Sequence, residues 1–285
     1  MSIKNIYIIL IAAFFLACKS HKNEDVFEHL SDEERNNLAD YYHKKSKEYY
    51  QPSEVHRIYK DSTLMAAPNH VEYTQLYSYS YKKTGEHIRA MELLNKAVDL
   101  DVANNNTAAL EYKAWSMLYF YRDYESAIED VDKIEEINAP QTYNVCHGEP
   151  CLLLKGQALY QLAKYQESLA CFKQLLKIEE EQGFDPKDNF FANFYIARIY
   201  TKQNDMAKAM EAYQSLIDDY EQFTEAHYYL GLLYAENGNK EMAINHLEKA
   251  KELISKNYKV IQEPFVERFD EVFPHHIDEA LAMLK

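Results

Sequence analysis

Five small residues, Ala90, Ala127, Ser168, Ala209 and Ala243, lie 37, 41, 41 and 34 positions apart, each inside the same local pattern. Twelve positions before each stands Ser78, Trp115, Gly156, Ala197 or Gly231, and four positions after each stands a bulky Leu94, Val131, Phe172, Tyr213 or Leu247. A period of this size marks stacked supersecondary units, so the chain reads first as a repeat array. The last copy shows what the unit is. TEAHYYLGLLYAEN (224–237) has apolar residues at helical spacing, Gly238 and Asn239 break it, and KEMAINHLEKAKEL (240–253) resumes the same period. Two antiparallel helices approach closely only where the facing residues are small. Gly231 is therefore expected opposite Ala243, with Tyr234 and Leu247 filling the space beside them.

Glycine is scarce, 6 in 285 residues, too few for the turns of a many-stranded β protein. Six of the seven prolines (Pro52, Pro68, Pro140, Pro186, Pro264, Pro274) fall in the connections that helix pairs require, and Pro150 falls in a first helical turn, where proline is tolerated.

LGLLYAENGNKEMAINHLEKA (230–250) resembles a tetratricopeptide repeat, whose pattern has a small residue at position 8, an aromatic at 11 and alanine at 20. YRDYESAIEDVDKIEEI (121–137), LKGQALYQLAKYQESLACFKQLL (154–176) and IARIYTKQNDMAKAMEAYQSLI (196–217) resemble the same unit. The resemblance implies an all-α chain, an α/α superhelical solenoid of helix-turn-helix repeats. Five copies are expected at 71–104, 108–141, 149–182, 190–223 and 224–257, with a degenerate copy at about 31–68. Two positions depart from the pattern: Trp115 stands where a small residue belongs, and Lys155 replaces an apolar one. In 258–285, the spacing of Phe265, Phe269, Val272 and Phe273, then of Ile277, Leu281 and Leu284, predicts two amphipathic helices. They would cap the exposed core of the last repeat, or form a dimer contact; oligomeric state stays open.

The first 17 residues differ from the rest. Lys4 precedes the apolar run IYIILIAAFFLA, too short to span a bilayer but suited to an export signal. Its end, Phe15-Leu16-Ala17-Cys18, resembles a bacterial lipoprotein signal, which implies cleavage before Cys18 and a lipid (palmitate among its acyl chains) on that residue. Lys19 after the cysteine favours the outer membrane by the same resemblance, with residues 18–30 as lipidated cysteine and polar tether.

The net charge is −15, and loss of Lys4 with the signal makes it −16, so phosphate backbones are repelled and nucleic acid is not an expected partner. The cluster His43, Lys44, Lys45, Lys47, Arg57 and Lys60 reads either as a solvated helix face or as a contact for anionic lipid or an acidic protein. Cys146 and Cys151 frame a six-residue loop for which three states stay open: a disulfide, free thiols, or a metal site completed by His147. Cys171, among core positions of a second helix, is expected to pack as a small hydrophobe. No Gly-rich phosphate loop, nucleophile elbow or His-Glu-x-x-His occurs. His275-His276 beside Pro274 reads as a helix start or, less simply, a metal pair. No cofactor, resident metal or catalytic residue is expected.

What the resemblance leaves is the concave groove lined by positions 2, 5, 9, 12 and 13 of each first helix. Carried over, these give Tyr79, Lys82 and Lys83, then Tyr112, Tyr119 and Phe120, then Leu153 and Tyr160, then Phe191, Phe194, Arg198 and Lys202, then Tyr228. Amphipathic rings with a few cations suit an extended peptide or a helix. The expectation is a non-enzymatic, membrane-anchored scaffold of the bacterial envelope that binds a protein or peptide. The alternative is a glycan-binding lipoprotein of a polysaccharide-uptake system, with Tyr112, Tyr119, Phe191 and Phe194 as stacking platforms.

Overall fold

The computed structural model describes residues 25–138, 143–261 and 266–284. The export signal, Cys18 and most of the tether lie outside them. Among the described residues no helix is long and apolar enough to cross a membrane. The chain divides into two compact units, one up to Asn104 and one from Asn105 onwards.

The first unit holds two helix pairs: α1 (Asp32–Ser46) with α2 (Glu54–Ala66), and α3 (Val71–Lys83) with α4 (His87–Val102). Helix α1 starts in a capping box, Ser31 accepting from the Glu34 amide while Glu34 accepts from the Ser31 amide. Phe27, Ala39, Tyr42, Ala66 and Tyr73 form its core.

The second unit continues the alternation. It runs α5 (Ala108–Trp115) and a π-helical turn (Ser116–Tyr121), then α6 (Tyr124–Asn138), and a two-stranded hairpin of β1 (Val145–Cys146) and β2 (Glu149–Pro150). The pairs α7 (Cys151–Gln161) with α8 (Tyr165–Glu181), α9 (Phe190–Lys202) with α10 (Met206–Asp219) and α11 (Thr224–Glu236) with α12 (Lys240–Ser255) follow, and α13 (Pro274–Met283) closes the chain.

The repeat anchors are buried in all five pairs that carry one. Ala90, Ala127, Ser168, Ala209 and Ala243 are at most 2% exposed, and the bulky residue one turn on is likewise covered. Close approach is real at the two glycines. A Cβ on Gly156 would lie 2.5 Å from the Phe172 ring, and one on Gly231 would lie 2.9 Å from Leu247 and 3.3 Å from the Ala243 carbonyl. Ser168 adds a hydrogen bond across the gap, its hydroxyl donating to the Gly156 carbonyl at 2.6 Å. Each turn passes through a left-handed residue five positions before the anchor: Gly85 (φ 82°), Arg122 (58°), Ala163 (57°), Asn204 (58°) and Gly238 (79°).

The two departures resolve differently. In four pairs the amide after that left-handed residue donates to a carbonyl five residues back, as Lys164 does to Leu159, but Asp123 donates to Met117, six back. The π turn has inserted one residue. Ala114, fully buried, thereby takes the small-residue place, and Trp115 packs at 9% exposure against Tyr119 and His147. Trp115 does not stand in the helix contact, contrary to the twelve-residue count. Lys155 keeps its place by reaching Asp132 and Glu135 on the preceding pair.

The C-terminal segment departs from its expected two helices. Only α13 is helical there among the described residues. It covers the last pair through Ile277, Ala280 and Leu281 packed with Leu247 and Ala250. Residues 266–273 instead run as an irregular strap that turns at Asp270 (φ 57°). Three of its carbonyls, those of Glu267, Phe269 and Asp270, accept from Arg122, Tyr195 and Tyr229 of the repeats in place of intrahelical bonds.

Candidate functional site: an occupied groove in the second unit

The strap lies against the face presented by the first helices of the second unit. Arg268 is 8% exposed and its guanidinium pairs with Glu149 Oε1 at 2.6 Å, while sitting 4.1 Å over the Tyr119 ring and 5.8 Å from that of Phe191. Phe269 stacks on Tyr119 at 5.8 Å, meets Tyr124 edge-on at 5.8 Å and lies under the Arg122 guanidinium at 4.4 Å. Asp270 receives Arg198 Nη2 at 2.7 Å. The backbone is read as well: Tyr195 donates to the Phe269 carbonyl and Tyr229 to the Asp270 carbonyl, each at 3.1 Å, and Arg122 donates to that of Glu267.

Three of the contact residues, Tyr119, Glu149 and Arg198, are braced from behind. The Tyr119 hydroxyl lies 2.9 Å from Glu149 Oε2 and 3.0 Å from Gln157 Oε1. Burial holds the Tyr119 and Tyr195 phenols protonated, well above their ordinary range. Arg198 stacks at 3.7 Å on Tyr229. Glu149 is fixed by the hairpin: β1 and β2 pair antiparallel around His147 and Gly148 (φ 52° and 90°), and Cys146 and Cys151 form a disulfide across its base, Cα to Cα 4.9 Å. With both sulfurs bonded to each other, the metal arrangement with His147 has no thiolates to use. Cys171 is buried, which pushes its thiol up to about 11.

The chain entering the strap is tied at the first turn of α11. Glu225, fully buried, accepts the amides of Val260 and Ile261 at 3.3 and 3.1 Å, and Thr224 donates to the Tyr258 carbonyl. Burial raises the Glu225 carboxyl to about 7, opposed in part by those backbone hydrogen bonds and by Lys259.

The expected groove residues thus divide. Tyr119, Phe191 and Arg198 touch the strap. Tyr160 and the exposed Lys202 line a hollow of about 460 Å³ beside it, together with Arg122, Tyr124 and Tyr165. Phe194 is not groove lining but core: it is fully buried among Tyr195, Tyr213, Phe223 and Tyr229. Tyr112 is 6% exposed and faces His147 of the hairpin. Tyr228 packs with the C-terminal cap, and Phe120 is 37% exposed beside Tyr121. Tyr79 and Lys82 belong to the first unit, where Lys82 and Lys83 sit 5.5 and 4.3 Å from the Tyr79 ring; burial, then Lys83, pushes Lys82 down to about 8. With Tyr112, Tyr119 and Phe194 covered, three of the four rings expected as sugar platforms present no open face.

Glu149, Gln157, Tyr195 and Tyr229 escaped the sequence reading. Gln157 does occupy position 9 of its copy but is neither ring nor cation. The two tyrosines occupy position 6, adjacent to the positions carried over, and only their hydroxyls reach the groove.

Sequence profiles of the tetratricopeptide repeat match residues 71–104, 153–222 and 224–257. These stretches are tetratricopeptide repeats. No curated protein matches the chain. Solved tetratricopeptide-type structures are similar in fold. PilF of Pseudomonas aeruginosa is 15% identical, with 78% of this chain and 94% of that one aligned at a TM-score of 0.55. PilW, a type IV pilus biogenesis factor, gives 14%, 79%, 94% and 0.55. MamA from Desulfovibrio magneticus RS-1 gives 18%, 65%, 96% and 0.53. The fold is the α/α solenoid of helix-turn-helix repeats, the architecture of protein-interaction scaffolds.

Proposed function

We propose that this chain is a non-enzymatic scaffold of the bacterial cell envelope, anchored by lipid on Cys18, that holds a protein or peptide against the first-helix face of its second unit. The observation that carries the binding half is the strap itself. An irregular, non-helical segment is held there through Arg268, Phe269 and Asp270 by two ion pairs, ring stacking and tyrosine hydroxyls on main-chain carbonyls, which is the chemistry of peptide recognition. A fold shared with a type IV pilus biogenesis factor accords with a scaffold role. The anchoring half rests on the lipoprotein-like run ending at Cys18 and on the acidic, tethered chain that follows.

Two experiments test the halves separately. Palmitate labelling and membrane fractionation of the parent and of Cys18→Ser should show label and membrane association lost together; an unlabelled parent refutes the anchor. Capture from envelope extracts should retain a protein on the parent that Arg198→Ala releases, with helicity unchanged. Equal retention by both moves the binding surface elsewhere.

A further inference from the structure

The groove holds more than a generic extended chain. Along the strap, three successive side chains meet three different chemistries: an acid (Glu149) for Arg268, a stacked ring (Tyr119) and an edge-on one (Tyr124) for Phe269, and a cation (Arg198) for Asp270. The two charge positions cannot be exchanged without placing like charge against the half-buried Glu149 and the buried Arg198, which disfavours the wrong order. Nor does the strap fill its site. The 460 Å³ hollow adjoins Glu267–Asp270 and carries Arg122 and Lys202, while a second hollow of about 350 Å³ adjoins Glu149 and presents Leu153, Phe184 and Phe191. A longer segment would keep the strap's contacts and add an acidic group at the first hollow and an apolar one at the second.

We propose that the groove of the second unit is a receptor for a partner segment bearing a basic–aromatic–acidic triplet, for which the chain's own Arg268-Phe269-Asp270 is an exchangeable stand-in. This rests on the peptide-holding reading above and specifies its ligand. The tethered strap competes at an effective concentration of order 1 mM. A free peptide with an intrinsic affinity of about 10 µM is therefore weakened about 100-fold on the parent and recovers its affinity when the strap is disabled.

The probe is a labelled peptide of the strap sequence, Val-Glu-Arg-Phe-Asp-Glu-Val-Phe, titrated by anisotropy onto the full chain and onto full-length Arg268→Ala/Asp270→Ala. Saturable binding to the double variant, at least about 50-fold tighter than to the parent, is the expected result. A peptide with the arginine and aspartate exchanged should not bind. If the double variant loses helicity, Phe269→Ala, which keeps both ion pairs, takes its place. No saturable binding to a folded strap variant, or equal binding of the charge-exchanged peptide, overturns the triplet. Failure of the partner-holding role reads differently: the triplet peptide binds, yet envelope proteins are retained equally by the parent and by Arg198→Ala.

Discussion

Gly156→Ala tests whether the small residues set the helix spacing. The new methyl carbon would sit 2.5, 2.7 and 2.9 Å from three atoms of the Phe172 ring, about 1 Å inside contact distance. The ring has nowhere to retreat: Phe172 is fully buried and stacks on Tyr195 at 5.8 Å. Overpacking of this kind costs about 1–3 kcal/mol, here near the upper end. Replacing a mid-helix glycine by alanine returns about 1 kcal/mol of helix propensity. The net expectation is a loss of about 2 kcal/mol, read as a fall of roughly 4–8 °C in the melting midpoint, followed by circular dichroism and urea unfolding. Adding Phe172→Leu to Gly156→Ala should recover at least about 1 kcal/mol beyond the sum of the single effects. A Gly156→Ala chain as stable as the parent would refute the close-approach account.

Other positions give independent tests. Ala163→Gly, at an exposed left-handed turn, should stabilise by about 0.5–1 kcal/mol, since the αL penalty of alanine exceeds the extra chain entropy of glycine; a lower urea midpoint would contradict it. Glu225 has a folded pKa of about 7, above its unfolded value, so the folded state binds the extra proton and stability falls as pH rises through that window. His227, pushed down to about 4 by burial, works in the opposite sense below its ordinary value, so the readout is the difference between Glu225→Gln and the parent. The variant should gain on the parent from pH 5 to about 7 and level off above that, and a constant difference would be inconsistent with the buried carboxyl. Cys146→Ala/Cys151→Ala should lose on the order of 2 kcal/mol by loop entropy and raise the hydrogen-exchange rate of the strap by releasing Glu149; an unchanged strap would show that the hairpin does not position that carboxylate.

The repeat array was legible because its determinants are local and periodic. Small anchors, bulky neighbours one turn on and breakers at fixed offsets all lie within one copy, and each proved buried or turned in the structure. The insertion near Trp115 was hidden because a π turn changes the register without any glycine or proline to mark it. The strap was illegible for a different reason. Phe269, Val272 and Phe273 have helical spacing, and that preference loses to contacts made with Tyr119, Tyr195 and Arg198, more than 70 residues away in sequence. Periodicity marked the face on which the strap lies but overstated its rings: Phe194 shares that face's spacing, yet it points into the core where neighbouring repeats meet.

The most direct test is site-specific photo-crosslinking of the full-length chain in its native cells. A photoreactive residue replaces Lys202, which borders the hollow beside the strap, or Lys173, exposed on the second helix α8. The account predicts a crosslinked protein from position 202, lost when excess strap peptide is added, and none from position 173. Crosslinking from position 173 with none from position 202 would contradict the groove as the partner site.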